Sequence, residues 1–228
     1  GSEMCIRDRK YRDPVTGYYK GYEVISMGPP SSGGALLINM LNMLEIYGKD
    51  SLEWNSSDYV HILTEIERRA YADRAEHMGD PDYWDVPLEM FRSKEYAKHR
   101  TTDIDINRAT PSDQVYAGQP SGYESPETTH YSVVDQWGNA VSVTTTINLG
   151  YGNGCVVKGA GFFLNNEMDD FSSKPGVPNV FGLIGNEANA IEPNKRPLSS
   201  MTPTIVLKDN KPFLVVGSPG GSTIITTA

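Results

Sequence analysis

Residues 124–148 read ESPETTHYSVVDQWGNAVSVTTTIN, and this stretch decides the fold because the periodicity of the chain changes inside it. Up to Glu127 it is polar and broken by Ser and Pro, as loops are. Beyond Thr128 the period becomes two: HYSVV, then AVSVTTTI with Val141, Val143, Thr145 and Ile147 on one face, the pattern of a strand with two unlike faces. Gln136-Trp137-Gly138-Asn139 between the two runs makes them an antiparallel hairpin. The bland reading of Thr128, Thr129 and the run Thr144 to Thr146 is β-propensity, since a β-branched side chain suits a strand. The chemical reading is a nucleophile. A hydroxyl reacts poorly near neutral pH unless a base sits beside it, and a threonine at a chain terminus has one in its own α-amine. An internal threonine gains that amine only if the bond before it is cut. Glu127-Thr128 lies where an accessible loop meets a strand, which is where such a bond belongs.

Working outward, PTIVLK and FLVVG form a second hairpin around Asp209-Asn210-Lys211. Upstream, KGYEVISMGPP alternates as a short strand that Pro29-Pro30 ends. SSGGALLINMLNMLEIYG spaces Leu37, Leu41 and Leu44 as one helical face, with Ser31 or Ser32 to cap it and Gly48 at its far end. SSDYVHILTEIERRAYADRAEHMG does the same with Val60, Leu63, Ile66 and Ala70; Ser56 or Ser57 caps it and Gly79 is expected to stop it in the left-handed conformation. DPDYWDVPLEMFRSKEYAKHR suggests a turn and two short helices, and residues 101–127 read as a polar, accessible connection. Helices dominate the first half and antiparallel strands the second, so the class is α+β. No internal repeat is present.

The composition narrows the function. The 228 residues are 38% hydrophobic and 21% charged, enough for one large domain or two small ones. A net charge of -9 repels polyanions and argues against nucleic acid as a partner. Cys5 and Cys155 stand alone, with no CxxC and no Cys/His cluster, so neither a disulfide framework nor a thiolate metal site is indicated. No apolar run approaches the ~20 residues of a membrane span, and GSEMCIRDRK lacks the apolar centre of a signal peptide. Both ends are abrupt, and the expectation is a piece of a longer protein. PPSSGG lacks the Lys-Ser/Thr of a phosphate loop, and Asn55-Ser56-Ser57 is a glycosylation pattern of the kind that chance supplies.

Several long stretches carry a resemblance. TTHYSVVD, LNNEMDDFSSKPGVPNVFG, PNKRPLSSMTPTIVLKDNKP and GSPGGSTIITT, preceded by PPSSGGALL, YADRAEHMGDPDYWDVP and DIDINRA, together resemble the γ-glutamyltransferase (γ-glutamyltranspeptidase) family in the same order from about Tyr11 onward. The resemblance implies an N-terminal-nucleophile hydrolase with a four-layer αββα sandwich, made as one precursor that cuts itself at Glu127-Thr128. Residues 1–127 would then end the large subunit and 128–228 begin the small subunit of a heterodimer. Thr128 matches the nucleophile and Thr146 the threonine that supports it. Asn148, Glu167 and Asp170 match the residues around the α-ammonium of the donor, a cation that needs acceptors and a negative partner. Ser199 and Ser200 match the pair that binds the donor α-carboxylate, and Gly220 and Gly221 the oxyanion hole.

Each match has a plainer structural reading: a strand residue for Thr146, a strand end for Asn148, a capped turn for Asp169 and Asp170, a loop for the serines and a flexible turn for the glycines. His130 shares a strand face with Thr128, yet both point outward, so a packed or hydrogen-bonded histidine is expected there. Phe181 stands where some members carry a lid tyrosine. The activity implied is γ-glutamyl transfer from glutathione or another γ-glutamyl donor to water, an amino acid or a peptide amine, with no metal or organic cofactor. A periplasmic, secreted or surface location is implied too, and an arginine for the donor carboxylate from a region upstream of this chain. Two other readings stay open: an acylase of the same fold acting on cephalosporin or glutaryl amides, and an uncleaved, silent chain.

Overall fold

The computed structural model describes residues 10–48, 52–116, 128–180 and 182–228. Cys5, Glu127 and Phe181 lie outside the described residues. The chain opens with a hairpin of β1 (Val15–Tyr19) and β2 (Tyr22–Ser26), turned by Lys20 and Gly21 at φ of 48° and 85°, the left-handed pair that a tight two-residue turn requires. The strand β1 is not legible in VTGYY, because a glycine interrupts it. A Cβ at Gly17 would come within 2.6 Å of Ile38 Cγ2, so the interruption is what lets a helix lie close to the strand.

Four helices follow: α1 (Gly33–Ile46), α2 (Ser57–His77), α3 (Leu88–Arg92) and α4 (Lys94–Arg100). The hydroxyl of Ser56 caps α2, accepting from Tyr59 N at 3.1 Å. Leu36, Met40 and Met43 of α1 meet Ile62, Ile66 and Ala70 of α2 in the core, with Met78 and Phe91. The phases of both faces differ from expectation. Leu37, Leu41 and Leu44 are only half-buried; α1 packs against β1 and β2 on one side and α2, α3 and α4 on the other, so it is apolar nearly all round and spacing alone picks no face. Val60 is 50% exposed, since it sits two residues, about 200° of rotation, from Ile62. Gly79 is not left-handed: the helix ends on extended Met78, and a Cβ at Gly79 would meet the Ala188 carbonyl oxygen at 2.2 Å. Close approach, not a cap, is its reason.

The second half supplies two further hairpins. The strands β3 (Thr129–Val134) and β4 (Ala140–Thr145) pair from Thr129↔Thr145 to Val134↔Ala140, closed by Asp135, whose carboxylate accepts from Trp137 N and Asn139 N at 2.9 Å each. The strands β5 (Thr204–Lys208) and β6 (Lys211–Val216) turn through Asp209 and Asn210, and β5 pairs with β2 through Glu23↔Leu207 to Ser26↔Thr204. One antiparallel sheet of order β1-β2-β5-β6 thus draws strands from both sides of the 127/128 bond. Val24 and Ser26 turn toward the helices, while Ile25 and Ile205 on the other face line, with Ser142 of β4, a cavity of about 480 Å³ under the β3–β4 hairpin. The layers run helix, sheet, hairpin: an α+β fold comprising αββ of the four-layer sandwich.

Candidate active site

The segment 195–202 crosses the mouth of α1 and is held from several sides. The Asp80 carboxylate, fully buried beyond the end of α2, accepts from Arg196 N at 2.9 Å and from Arg12 at 3.0 Å; the Asn189 side chain accepts from Leu198 N at 2.9 Å. Ser32, at the N-cap position of α1, makes no side-chain cap bond, and Ser31 Oγ accepts only from Gly33 N, at 3.2 Å. They donate instead across the chain, Ser31 Oγ to the Met201 carbonyl at 2.7 Å and Ser32 Oγ to the Ser199 carbonyl at 2.9 Å. Gly33 lets the two segments touch, because a Cβ there would lie 2.3 Å from Thr202 Oγ1 and 2.4 Å from the Met201 carbonyl oxygen. PPSSGG is therefore the platform on which Ser199 and Ser200 rest.

Opposite lies the edge of the β3–β4 hairpin. Its register, Thr129 with Thr145, brings Thr128 against Thr146, each one residue beyond the paired strands. Thr146 Oγ1 accepts from Asn148 N at 2.9 Å; Asn148, buried and at φ 75°, donates its Nδ2 to the Asn166 carbonyl at 3.2 Å, while Asn166 Oδ1 takes Leu149 N at 3.0 Å. This fastens residues 146–149 to the single 3₁₀ turn Glu167–Asp170, whose Asp170 carbonyl accepts in turn from Asn189 Nδ2 at 2.7 Å. Asn189 thereby holds both the acidic turn and the serine segment. The ring of His130 bonds to Thr144 Oγ1 at 2.9 Å and Ser132 Oγ at 3.0 Å and lies on Gly217. It is a hydrogen-bonded histidine and stays out of the cleft.

The third wall is the loop after β6. Gly220 and Gly221 adopt φ of 134° and 52°, where a side chain is strained; the Gly220 carbonyl accepts from Thr223 N at 2.9 Å, which opens the short helix Ile224–Thr227. The walls enclose a narrow cleft of about 40 Å³ lined by Thr128, Thr146, Asn148, Asp170, Ser199, Ser200 and Gly221. Glu167 and Gly220 stand next to this lining without contributing to it.

The cleft is electrically uneven. Burial raises the Asp170 carboxyl to about 7, with Glu167 and Asp169 adding to the rise and Arg74 opposing it; burial also raises Glu167. Two residues of YADRAEHMG that sequence reasoning missed stand behind the cleft. The Tyr71 hydroxyl donates to the Ser222 carbonyl beside the glycine pair. Arg74, 4% exposed, donates from Nε to Ser32 Oγ at 2.9 Å and from Nη2 to Ser200 Oγ at 3.1 Å. Arg74 and Ser200 are 126 residues apart in sequence, which hides the pair from spacing arguments; the only signal is that YADRAEHMG belongs to a stretch that carries the resemblance.

Helices over one face of an antiparallel sheet, with a further hairpin packed on the other, make the α+β arrangement of an N-terminal-nucleophile hydrolase fold. A cephalosporin acylase from Bacillus halodurans shares it, with a TM-score of 0.74 over 95% of this chain and 36% of that one at 24% identity, a likeness of fold alone. The gamma-glutamyltranspeptidase family model matches residues 8–228. The chain belongs to the gamma-glutamyltranspeptidase family. It is similar to the glutathione hydrolase proenzyme of Escherichia coli (strain K12), 56% identical over 95% of this chain and 37% of that protein, and to that of Bacillus subtilis (strain 168), 41% identical over 100% and 40%. It is also 38% identical to the acylase ACY 1 proenzyme of Pseudomonas sp. (strain SE83) over 95% of its length and 36% of that protein. The chain thus spans well under half the length of each of these relatives.

Proposed function

We propose that this chain carries the reacting half of a glutathione hydrolase or γ-glutamyltransferase, matured by cleavage of the Glu127-Thr128 bond. In maturation Thr128 Oγ1 attacks the Glu127 carbonyl, the amide becomes an ester, and water opens the ester to free the Thr128 α-amine. Large and small subunits then stay together as a heterodimer, because strands from both sides of the bond form one sheet. In turnover the hydroxyl attacks the γ-carbonyl of glutathione or another γ-glutamyl donor while its proton passes to the α-amine. The Gly220 and Gly221 amides receive the oxyanion, the leaving amine takes the proton, and water or the amine of an amino acid or peptide releases the γ-glutamyl group. Thr146 orients the nucleophile. Asn148, Asp170 and Glu167 hold the donor ammonium, and Ser199 and Ser200 its carboxylate. By family likeness the enzyme works in the periplasm, outside the cell or at its surface.

One observation carries this reading: a single cleft gathers a strand-edge threonine, an acidic turn, a serine pair and a left-handed glycine. Those are the groups needed to attack an acyl carbon beside a zwitterion. The likeness to an acylase supports a second reading, a glutaryl or cephalosporin acylase, but a glutaryl group lacks the ammonium that Asp170 and Glu167 would meet. N-terminal sequencing of the small product tests maturation, with TTHYS the expected start. Turnover of a γ-glutamyl anilide set against a glutaryl amide tests the substrate. A complete gene product that stays a single uncut species, or prefers the glutaryl amide, overturns the proposal.

A further inference from the structure

Arg74 is a buried cation whose partners are hydroxyls. Among the described residues no carboxylate lies within ion-pair distance of it, whereas its helix neighbour Arg69 reaches Glu65 Oε2 at 2.5 Å. An arginine keeps its charge in proteins, and a buried charge without a counter-ion is costly. The geometry of its two contacts shows where the charge is directed. A guanidinium can only donate, so Ser200 Oγ accepts from Nη2 and must turn its own hydrogen elsewhere; among the described residues no acceptor takes that hydrogen. Ser32 Oγ likewise accepts from Nε and passes its hydrogen to the Ser199 carbonyl. One fork thus fixes the hydroxyl of Ser200 directly and the backbone of Ser199 through Ser32.

We propose that Arg74 is a positioning residue for the donor carboxylate: it aims the Ser200 hydroxyl into the cleft and supplies, from behind, the positive charge that the incoming carboxylate neutralises. This rests on the acyl-transfer reading above and adds to it a specificity element on α2, outside the segments that line the cleft.

The test uses the complete gene product and the substitutions Arg74→Gln, Arg74→Lys and Ser32→Ala, with three donors: a γ-glutamyl anilide, a glutaryl anilide and a 4-aminobutanoyl anilide. The first two carry the carboxylate and the third lacks it. For Arg74→Gln the KM of the carboxylate donors rises about tenfold, the scale of one hydrogen bond to a charged group, with kcat changed less, and the 4-aminobutanoyl anilide is unaffected. Arg74→Lys, which keeps the charge and loses the fork, recovers part of that affinity, and Ser32→Ala gives a smaller rise of the same selectivity. Equal effects on all three donors, or no effect on any, overturn the proposal. If Arg74→Gln fails to fold by its thermal melt, Arg74→Lys and Ser32→Ala decide by the same donor selectivity. Preference of the unsubstituted protein for the glutaryl anilide overturns the γ-glutamyl reading alone, because the role of Arg74 predicts the same loss with that donor. If no anilide is turned over, calorimetric binding of L-glutamate against 4-aminobutanoate to the same variants decides the role of Arg74 by the same selectivity.

Discussion

The two long walls of the cleft are built on opposite plans. The serine wall is embedded: Leu198 and Thr202 are 3% and 0% exposed, and Ser31, Ser32, Arg74, Asp80 and Asn189 bind the segment from behind. The threonine wall hangs from a hairpin whose Val133, Val134 and Val141 are 54%, 54% and 51% exposed, and its Thr128 and Thr146 are placed by strand register, with only Asn148 beyond them buried. Buried hydrogen-bonded segments resist distortion because each broken bond leaves an unsatisfied polar group. The wall that would recognise the donor is therefore also a structural element, and the wall that would react is not. Substitutions in the first should cost stability, and substitutions in the second should cost chemistry.

The largest expected effect breaks the threonine wall alone. In Thr128→Ala the Oγ is gone, so the complete gene product should remain uncut before residue 128 and lose on the order of 10⁴-fold or more in turnover of a γ-glutamyl anilide, while its melting temperature barely moves. Mass spectrometry and a rate assay read both. Cleavage that persists at this bond would remove Thr128 from the mechanism.

The mirror experiment is Gly33→Ala, which alters no group that could react. Its Cβ would press on Thr202 Oγ1 and the Met201 carbonyl oxygen, and the latter is backbone that cannot swing aside. Overpacking of this kind costs roughly 1–3 kcal/mol, so the denaturation midpoint should fall and the serine pair shift. A Gly33→Ala protein as stable as the parent would mean the serine wall is looser than its contacts indicate.

The same contrast explains what the sequence discloses. Hairpins β3–β4 and β5–β6 are legible because alternation and turn residues are local properties, and the strand-edge position of Thr128 follows from them. The face of α1 is not legible, since a helix packed on both sides loses its amphipathic signature, and β1 is masked by Gly17, whose reason is Ile38, twenty-one positions on. Ser31 and Ser32 look like caps in one dimension, and only the fold brings the 199–202 carbonyls to them. Arg74 is one arginine among several on α2 until the chain returns with Ser200. The reacting wall is local and readable; the recognition wall is assembled from distant segments and is not, apart from the residues that the family resemblance supplies.

A pH experiment sharpens the comparison from the acidic turn. Burial holds Asp170 at about 7 in the folded chain, above its ordinary 3.8, so the folded state keeps a proton that the unfolded state has released. That contribution to stability is fully present below about pH 4 and is lost as pH rises through about 7. Asp170→Asn should abolish this decline, leaving the variant more stable than the parent at pH 8 by on the order of 1 kcal/mol after discounting for partial exposure. The same variant should bind a γ-glutamyl donor far more weakly. Identical stability profiles for parent and variant would show that Asp170 ionises as an ordinary surface carboxylate does.

The smallest effect belongs to His130, where the hairpin touches the glycine loop. Burial holds its imidazole below the ordinary value of about 6.5, the reverse of Asp170, because the charged form of a histidine is the protonated one. Its contribution is present above about pH 6.5 and is lost as pH falls through the folded-state value. The bonds to Thr144 and Ser132 survive protonation, since a hydroxyl accepts as readily as it donates; the loss is only that of desolvating a charge on a half-buried ring. Replacing it, as in His130→Gln, should therefore flatten the acid limb of the stability curve only slightly. Parent and variant should separate below pH 6.5 and converge above it. An acid limb unchanged by the substitution would assign that sensitivity to other groups and leave the hairpin wall held by register alone.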